Sequence, residues 1–328
     1  MSGIARRRLR AVDDPARPGG VDRGAPAVVR DRPAEAVLTK LELTVRRRLD
    51  GLLQGNHIGL VPGPGSEAGE SRIYHPGDDV RRMDWPVTAR TTVPYVRETI
   101  ADRELETWVA VDLSPSVDFG TAECEKRDLV IAAMAAVIYL TQHGGNRIGA
   151  LVTSGDGVIR IPARSGRAHA QATIRRVAAS PRSAAGRRGD LGATVEMLRR
   201  PLRRRGQIVV ISDFLGEPTW QRPLRGLAGR HEVLAVEVVD PREMALPPVG
   251  LLTFVDPEDG SQLEVQTSRR GVRERYEAAA RAQRAEIATA LRRAGAGHLT
   301  LWTDRDWLLD IVRFVGARRR GVTGGAVR

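Results

Sequence analysis

Residues 107–116 read Thr107-Trp108-Val109-Ala110-Val111-Asp112-Leu113-Ser114-Pro115-Ser116. The apolar run has the length and composition of a buried strand, and it ends directly in Asp-x-Ser-x-Ser. That order places one carboxylate and two hydroxyls at the carboxyl end of a strand, where open α/β sheets hold their ligands. Three hard oxygen donors on one tight loop, without nitrogen or sulfur, suit Mg²⁺ or Mn²⁺ better than zinc. A second apolar strand, Gln207–Ser212, ends in Asp213, and a carboxylate at a second strand end suits a shared ion. Serine adds no charge, so an ion held this way keeps positive character and attracts an incoming Glu or Asp. A second reading stands beside this one. Asp, Ser and Pro are common turn formers after a strand, and Asp213 also reads as a cap of the following helix.

Around this stretch the pattern alternates strand and helix from Thr107 to Phe314. Cys124 to Thr141 reads as a helix apolar on nearly every side, hence buried. Arg147 to Thr153 and Val158 to Ile161 read as strands paired around Ser154-Gly155-Asp156-Gly157. Helices are expected over Ala168 to Ala179 and Asp190 to Arg204, with Pro201 kinking the second or ending it early. His231 to Val238 is a further strand, and Leu252 to Val265 is a hairpin turning at Asp259-Gly260. Val272 to Arg293 reads as a helix and His298 to Trp302 as a last strand. Thr303-x-x-Asp306 resembles a capping box before a final helix bearing Trp307, Ile311 and Phe314. This order predicts an α/β fold: a doubly wound, mostly parallel sheet with helices on both faces, preceded by a smaller α+β segment.

Four regions are expected. Residues 1–33, rich in Pro, Gly and Arg, read as a disordered tail. Residues 34–105 form the smaller segment. It contains a helix marked by Leu38, Leu41, Val45, Leu49 and Leu52, a short strand Ile58 to Val61, and the loop Gly63-Pro64-Gly65-Ser66. A short helix capped by Asp79 is expected to start at Val80, with Pro94 to Ile100 extended. Residues 106–317 form the main domain, and 318–328 a basic tail that frays.

The net charge is +12, carried almost wholly by arginine, since only Lys40 and Lys126 are lysine. The arginines are scattered and not interleaved with aromatics, which argues against a dedicated single-strand nucleic-acid surface. One cysteine, Cys124, rules out an intrachain disulfide and fits a reducing compartment. The longest apolar run, Leu129 to Leu140, is far short of the roughly 20 residues of a membrane span. These features read as a cytoplasmic chain. Catalysis fits less well: neither Ser114 nor Ser116 sits in a Gly-x-Ser-x-Gly elbow, and no histidine is tied to them by motif.

Two motifs together carry a resemblance. Asp112-Leu-Ser-Pro-Ser116 is similar to the first metal motif of von Willebrand factor type A domains. Arg72-Ile-Tyr-His-Pro-Gly-Asp-Asp, Arg81-Arg-Met-Asp-Trp85 and Thr88-Ala-Arg90 resemble the signature of the domain-of-unknown-function 58 family, with Tyr74, Pro76, Gly77, Asp78, Arg81, Asp84, Trp85 and Arg90 matching it. The hairpin around Asp256-Pro-Glu-Asp-Gly260 fits the same pattern. The resemblance implies a type A-like domain with a metal ion-dependent adhesion site. Asp112, Ser114, Ser116 and Asp213 then supply ligands for Mg²⁺ or Mn²⁺. Gly189 stands where the family often has threonine, which leaves Asp190 or Thr194 to approach the ion.

The resemblance further implies a MoxR-type AAA+ ATPase as partner, with this chain as a non-enzymatic adapter to a client protein. For the signature residues a structural role is expected, with Trp85 packed against the sheet; a direct partner contact is the other reading. The alternative function is an arginine-rich binder of nucleic acid or acidic surfaces that uses no metal, and a hydrolase is a third.

Overall fold

The computed structural model describes residues 10–11, 71–75, 80, 83–91, 93–97, 105–142, 145–182, 187, 189–202, 205–256 and 259–323. The first elements are β1 (Arg10–Ala11), β2 (Ser71–Ile73), α1 (Trp85–Thr91) and β3 (Tyr95–Arg97). The main domain opens with β4 (Glu106–Asp112), α2 (Lys126–Thr141), β5 (Arg147–Ser154) and β6 (Gly157–Arg164). It continues through α3 (Arg167–Ala178), α4 (Leu191–Met197), β7 (Gln207–Ser212), α5 (Gln221–Ala228) and β8 (Glu232–Val239). The hairpin β9 (Leu251–Val255) and β10 (Gln262–Gln266) follows, then α6 (Arg270–Arg293), β11 (Gly297–Trp302) and α7 (Trp307–Thr323).

The central sheet has the order β11-β8-β7-β4-β5-β6. All neighbours run parallel except β6, which returns antiparallel from β5. This is the expected mostly parallel α/β architecture. β4 alternates its side chains between two cores: Val109 and Val111 pack with α2, α3 and α7, while Trp108 and Ala110 pack with α4, α5 and α6. Both faces are covered, so the strand reads as one apolar run. Helix α2 is enclosed in the same way, with apolar residues from Leu129 to Leu140 buried on every side.

The chain leaves β4 for β5 in one direction and later returns to β7 on the opposite side of β4. The helices after β4 and β7 therefore lie on opposite faces, and a crevice opens between the carboxyl ends of these two strands. Asp112 ends β4 and Asp213 follows β7, so the two carboxylates flank this switch point.

Several local expectations need correction. The α-helix α1 starts at Trp85, and Val80, the expected start of a helix, lies in a 3-10 turn. Asp84 receives the first turn of α1, its Oδ1 accepting the Val87 amide at 3.3 Å, while Asp79 lies outside the described residues. Trp85 is thereby the first helical residue and is 66% exposed, not packed against the sheet. Helix α4 ends at Met197, well before Arg204. Thr303 does not form a capping box, because its hydroxyl donates to Asp240 Oδ2 at 2.9 Å. Asp306 alone receives the first turn of α7, accepting the Leu309 amide. α7 runs to Thr323, past the expected start of a frayed tail at 318. Within the region read as a disordered tail, Arg10 and Ala11 form β1, pairing with Val255 and Phe254 of β9. The expected helix over Leu38 to Leu52, the strand Ile58 to Val61, the Gly63 loop, and Pro76, Gly77, Asp78 and Arg81 lie outside the described residues.

Candidate functional site

The loop after β4 is short and tightly built. Pro115 starts a single 3-10 turn over Pro115–Val117, which turns Ser116 back toward Ser114. The two hydroxyls lie 3.1 Å apart. Asp112 is oriented from two sides: its Oδ1 accepts the Ser114 amide at 3.0 Å and its Oδ2 accepts the Ser212 hydroxyl at 2.6 Å. Ser212, at the end of β7, thus ties the two strands together across the switch point. Asp112 and Ser114 are 1% exposed and Ser116 is 3% exposed. Asp156, Asp190, Gly216 and Glu217, on the segments after β5 and β7 and before α4, are exposed.

The other expected ligands are engaged elsewhere. Asp190 caps α4, its Oδ1 accepting the Ala193 amide at 2.9 Å. The Thr194 hydroxyl donates to the Asp190 carbonyl at 3.0 Å and accepts the Thr153 hydroxyl at 2.7 Å. Its proton and one of its two lone pairs are therefore used. Gly189 brings its backbone against the serine loop. A Cβ there would meet Ser114 Cβ at 2.8 Å and Thr153 Cγ2 at 3.2 Å. Restoring the family's threonine, Gly189→Thr, is therefore expected to push Ser114 out of place. The cost is about 1–3 kcal/mol of stability, read as a lower urea midpoint. A variant as stable as the parent would show that the loop absorbs the side chain.

Asp213 has a partner that the sequence reading missed. Its Oδ2 accepts the Lys126 ammonium at 2.9 Å, and both side chains are 0% exposed. Its Oδ1 accepts the Leu215 amide at 3.1 Å, so Asp213 closes a turn and does not cap α5. The next residue, Phe214, adopts a left-handed backbone with φ of 54°. That conformation is uncommon for a non-glycine residue. The Ser212 hydroxyl, accepting the Phe214 amide at 3.0 Å, and the Trp220 ring, 5.1 Å away, hold it there.

Lys126 is the first residue of α2 and also pairs with Glu243. Glu243 bridges to Arg284, which in turn reaches Glu237 at 2.8 Å and the Asp213 carbonyl at 3.0 Å. His298 Nε2 lies 2.8 Å from the other oxygen of Glu237. Burial alone would lower the Lys126 pKa, but Asp213 and Glu243 outweigh it and raise it above its ordinary value. Burial would likewise raise the Glu237 carboxyl, yet His298 and Arg284 hold it below the usual carboxylate value. A carboxylate depressed in the folded state contributes stability at neutral pH and loses it as pH falls through its folded pKa. The stability gap between the parent and Glu237→Gln is accordingly expected to narrow on acidification to about pH 3. A gap that stays constant in urea titrations across this range would contradict the depressed value.

One signal for Lys126 was present in the sequence. The chain has 52 Lys and Arg residues, yet only Lys40 and Lys126 are lysine.

The Asp112, Ser114 and Ser116 oxygens fit a small hard cation. Two adjacent ligands of an octahedral Mg²⁺, each at about 2.1 Å, stand about 3.0 Å apart, close to the serine separation. Among the described residues no group of three or more His, Cys, Asp or Glu side chains could hold a metal. A site here accordingly rests on one carboxylate and two hydroxyls. No helix of the described residues is long and apolar enough to cross a membrane.

An uncharacterised protein of Mycobacterium tuberculosis is 58% identical over 290 residues, spanning 88% of this chain and 91% of that protein. An uncharacterised Mycobacterium avium protein is 51% identical over 166 residues, 51% of this chain and 98% of that protein. The crystal structure of the conserved hypothetical protein BatB from Bacteroides thetaiotaomicron covers 66% of this chain and 99% of its own, at 15% identity and a TM-score of 0.43. The SpRpn10 VWA domain covers 63% of this chain and 93% of its own, at 10% identity and a TM-score of 0.36. The profile of the family described as protein of unknown function DUF58 matches residues 70–286, most of the main domain and the second half of the segment before it. With that match and the mycobacterial relative spanning nearly the whole chain, the protein belongs to the DUF58 family.

Proposed function

We propose that this chain is a non-enzymatic, cytoplasmic protein-binding module of von Willebrand factor type A type. Its contact point is the crevice between β4 and β7, where Mg²⁺ or Mn²⁺ is held by Asp112, Ser114 and Ser116. The observation that carries this reading is the pair of serine hydroxyls 3.1 Å apart beside a carboxylate oriented by the Ser114 amide and Ser212. When bound, the ion supplies a positive anchor with open positions for water or for an acidic side chain of the partner.

The chain's own residues shape the approach. Ser212 and the Ser114 amide fix the direction of Asp112, so no rearrangement of that carboxylate is needed. The three donors are buried, so the partner side chain enters a recess, and a single Glu or Asp is narrow enough to do so. The family signature supports a MoxR-type AAA+ ATPase as partner, with this chain as the adapter between it and a client protein.

The test is binding of the full chain to such an ATPase in Mg²⁺, in EDTA, and with Asp112→Asn or Ser116→Ala. EDTA and both substitutions are expected to weaken binding about tenfold or more, the scale of losing a charged contact. Unchanged binding in all three arms would remove the ion bridge. The arginine-driven alternative predicts a steep loss of affinity with salt and indifference to EDTA.

A further inference from the structure

Arginine is the cation of this chain nearly everywhere, and the exceptions are Lys40 and Lys126. Lys126 occupies an enclosed place: its side chain is 0% exposed, against 14% for Arg284 in the same cluster. The ammonium sits between Asp213 Oδ2 and Glu243, 5.9 Å from the centre of the Phe119 ring. A compact ammonium suits such a space. A planar guanidinium with five fixed donors is larger and directs its hydrogen bonds along a fork.

The consequence lies at the switch point. Asp112 ends β4 and receives the Ser212 hydroxyl from the end of β7, and Asp213 is the residue that follows Ser212. The surroundings of the two carboxylates nevertheless differ in kind. Asp112 receives an amide and a hydroxyl, both neutral donors, and no ion pair to it is found among the described residues. Asp213 receives an ammonium and an amide, and its charge is neutralised inside the protein. Moving Asp213 onto a divalent ion would strip Lys126 of one counter-charge in a place where both side chains are 0% exposed. It would also bring a second positive charge toward the ammonium, and both effects are unfavourable at low dielectric.

We propose that Lys126 is a positioning residue that holds Asp213 out of the ion's ligand set. The ion then meets a single protein carboxylate, Asp112, and takes its second from the binding partner. This inference rests on the ion site proposed above and adds to it the reason that the site needs an acidic partner. A dication on one carboxylate retains net positive charge, whereas a second protein carboxylate would neutralise it. Lys126 thus ties partner binding to ion binding.

Mn²⁺ is the probe, titrated into the full-length protein and followed by the electron paramagnetic resonance of the free ion. Asp112→Asn is expected to weaken Mn²⁺ binding about tenfold or more, and Asp213→Asn to leave it within about twofold, because ion affinity follows the number of charged ligands. Lys126→Met is expected to tighten it about tenfold as Asp213 becomes available, and the gain is lost again in Lys126→Met with Asp213→Asn. Circular dichroism reports whether each variant is folded. Should Lys126→Met not fold, the Asp213→Asn arm decides alone. An Asp213→Asn protein that loses Mn²⁺ as Asp112→Asn does overturns the inference and leaves the ion site standing. An unchanged affinity in folded Lys126→Met overturns it as well. If the parent binds no Mn²⁺, the ion site of the proposed function falls. A Lys126→Met protein that then gains an Asp213-dependent site upholds the role of Lys126, and one that gains none overturns both.

Discussion

Replacing Lys126 by methionine is expected to lower the stability of the fold by about 3–5 kcal/mol, the usual cost of removing one partner of a buried ion pair. The lysine is wholly enclosed, and its ammonium is the charge partner of Asp213. Without it, Asp213 loses its buried cation, while the Leu215 amide remains on its carboxylate and Arg284 reaches its carbonyl. Glu243 loses one of its two cations and retains Arg284. The methionine fills the space of the aliphatic stem, so the loss is electrostatic and not a cavity. The same argument predicts partial recovery in the double variant Lys126→Met with Asp213→Asn, because an amide is far cheaper to leave buried than an unpaired carboxylate. Urea unfolding followed by tryptophan fluorescence measures both. A single variant within about 1 kcal/mol of the parent, below the range for a broken buried pair, would mean that the cluster relaxes or admits water.

Trp108→Ala is expected to have an effect of the same size, about 3–5 kcal/mol, for a different reason. Trp108 is 1% exposed at the centre of the sheet and belongs to the core that contains α4, α5 and α6. Its indole fills the space above Gly149 of the neighbouring strand, where an added Cβ would lie 2.9 Å from the ring. The indole N–H donates to Glu106 at 2.6 Å, and the Arg160 guanidinium lies 5.6 Å from the ring centre. Truncation opens a cavity flanked by two strands that cannot collapse onto it. Trp85→Ala provides the contrast. At 66% exposed, Trp85 buries little, and its removal is expected to change stability by about 0.5 kcal/mol or less. Equal losses at Trp85 and Trp108 would contradict the exposure of α1.

The strands of the main domain were readable because a parallel strand buried on both faces leaves an uninterrupted apolar run. β4 and β7 carry one, and in β8 only Glu237 interrupts it. β6 was readable for the opposite reason: it lies at the sheet edge, and only the turn at Ser154–Gly157 and its pairing with β5 mark it. Helix ends were harder. That Asp84 caps the short helix depends on its carboxylate meeting the Val87 amide, which the fold decides. Thr303 has the spacing of a cap, yet Asp240, distant in sequence, offers its hydroxyl a buried acceptor. Trp85 was expected inside because aromatic side chains usually bury much of their area. Its place as the first residue of a capped helix directs it outward instead.

The Asp112-x-Ser-x-Ser loop, and the strand that presents it, were determined by the sequence alone. Its three donors fall within five residues, and a turn opened by Pro115 leaves them few arrangements. The second strand end was equally readable as a position. Only the tertiary structure decided what Asp213 does there, because its partner Lys126 stands 87 residues away on another element. Local spacing sets which groups share a loop. The fate of a buried charge depends on which opposite charge the fold encloses with it, since desolvation forbids leaving either one alone.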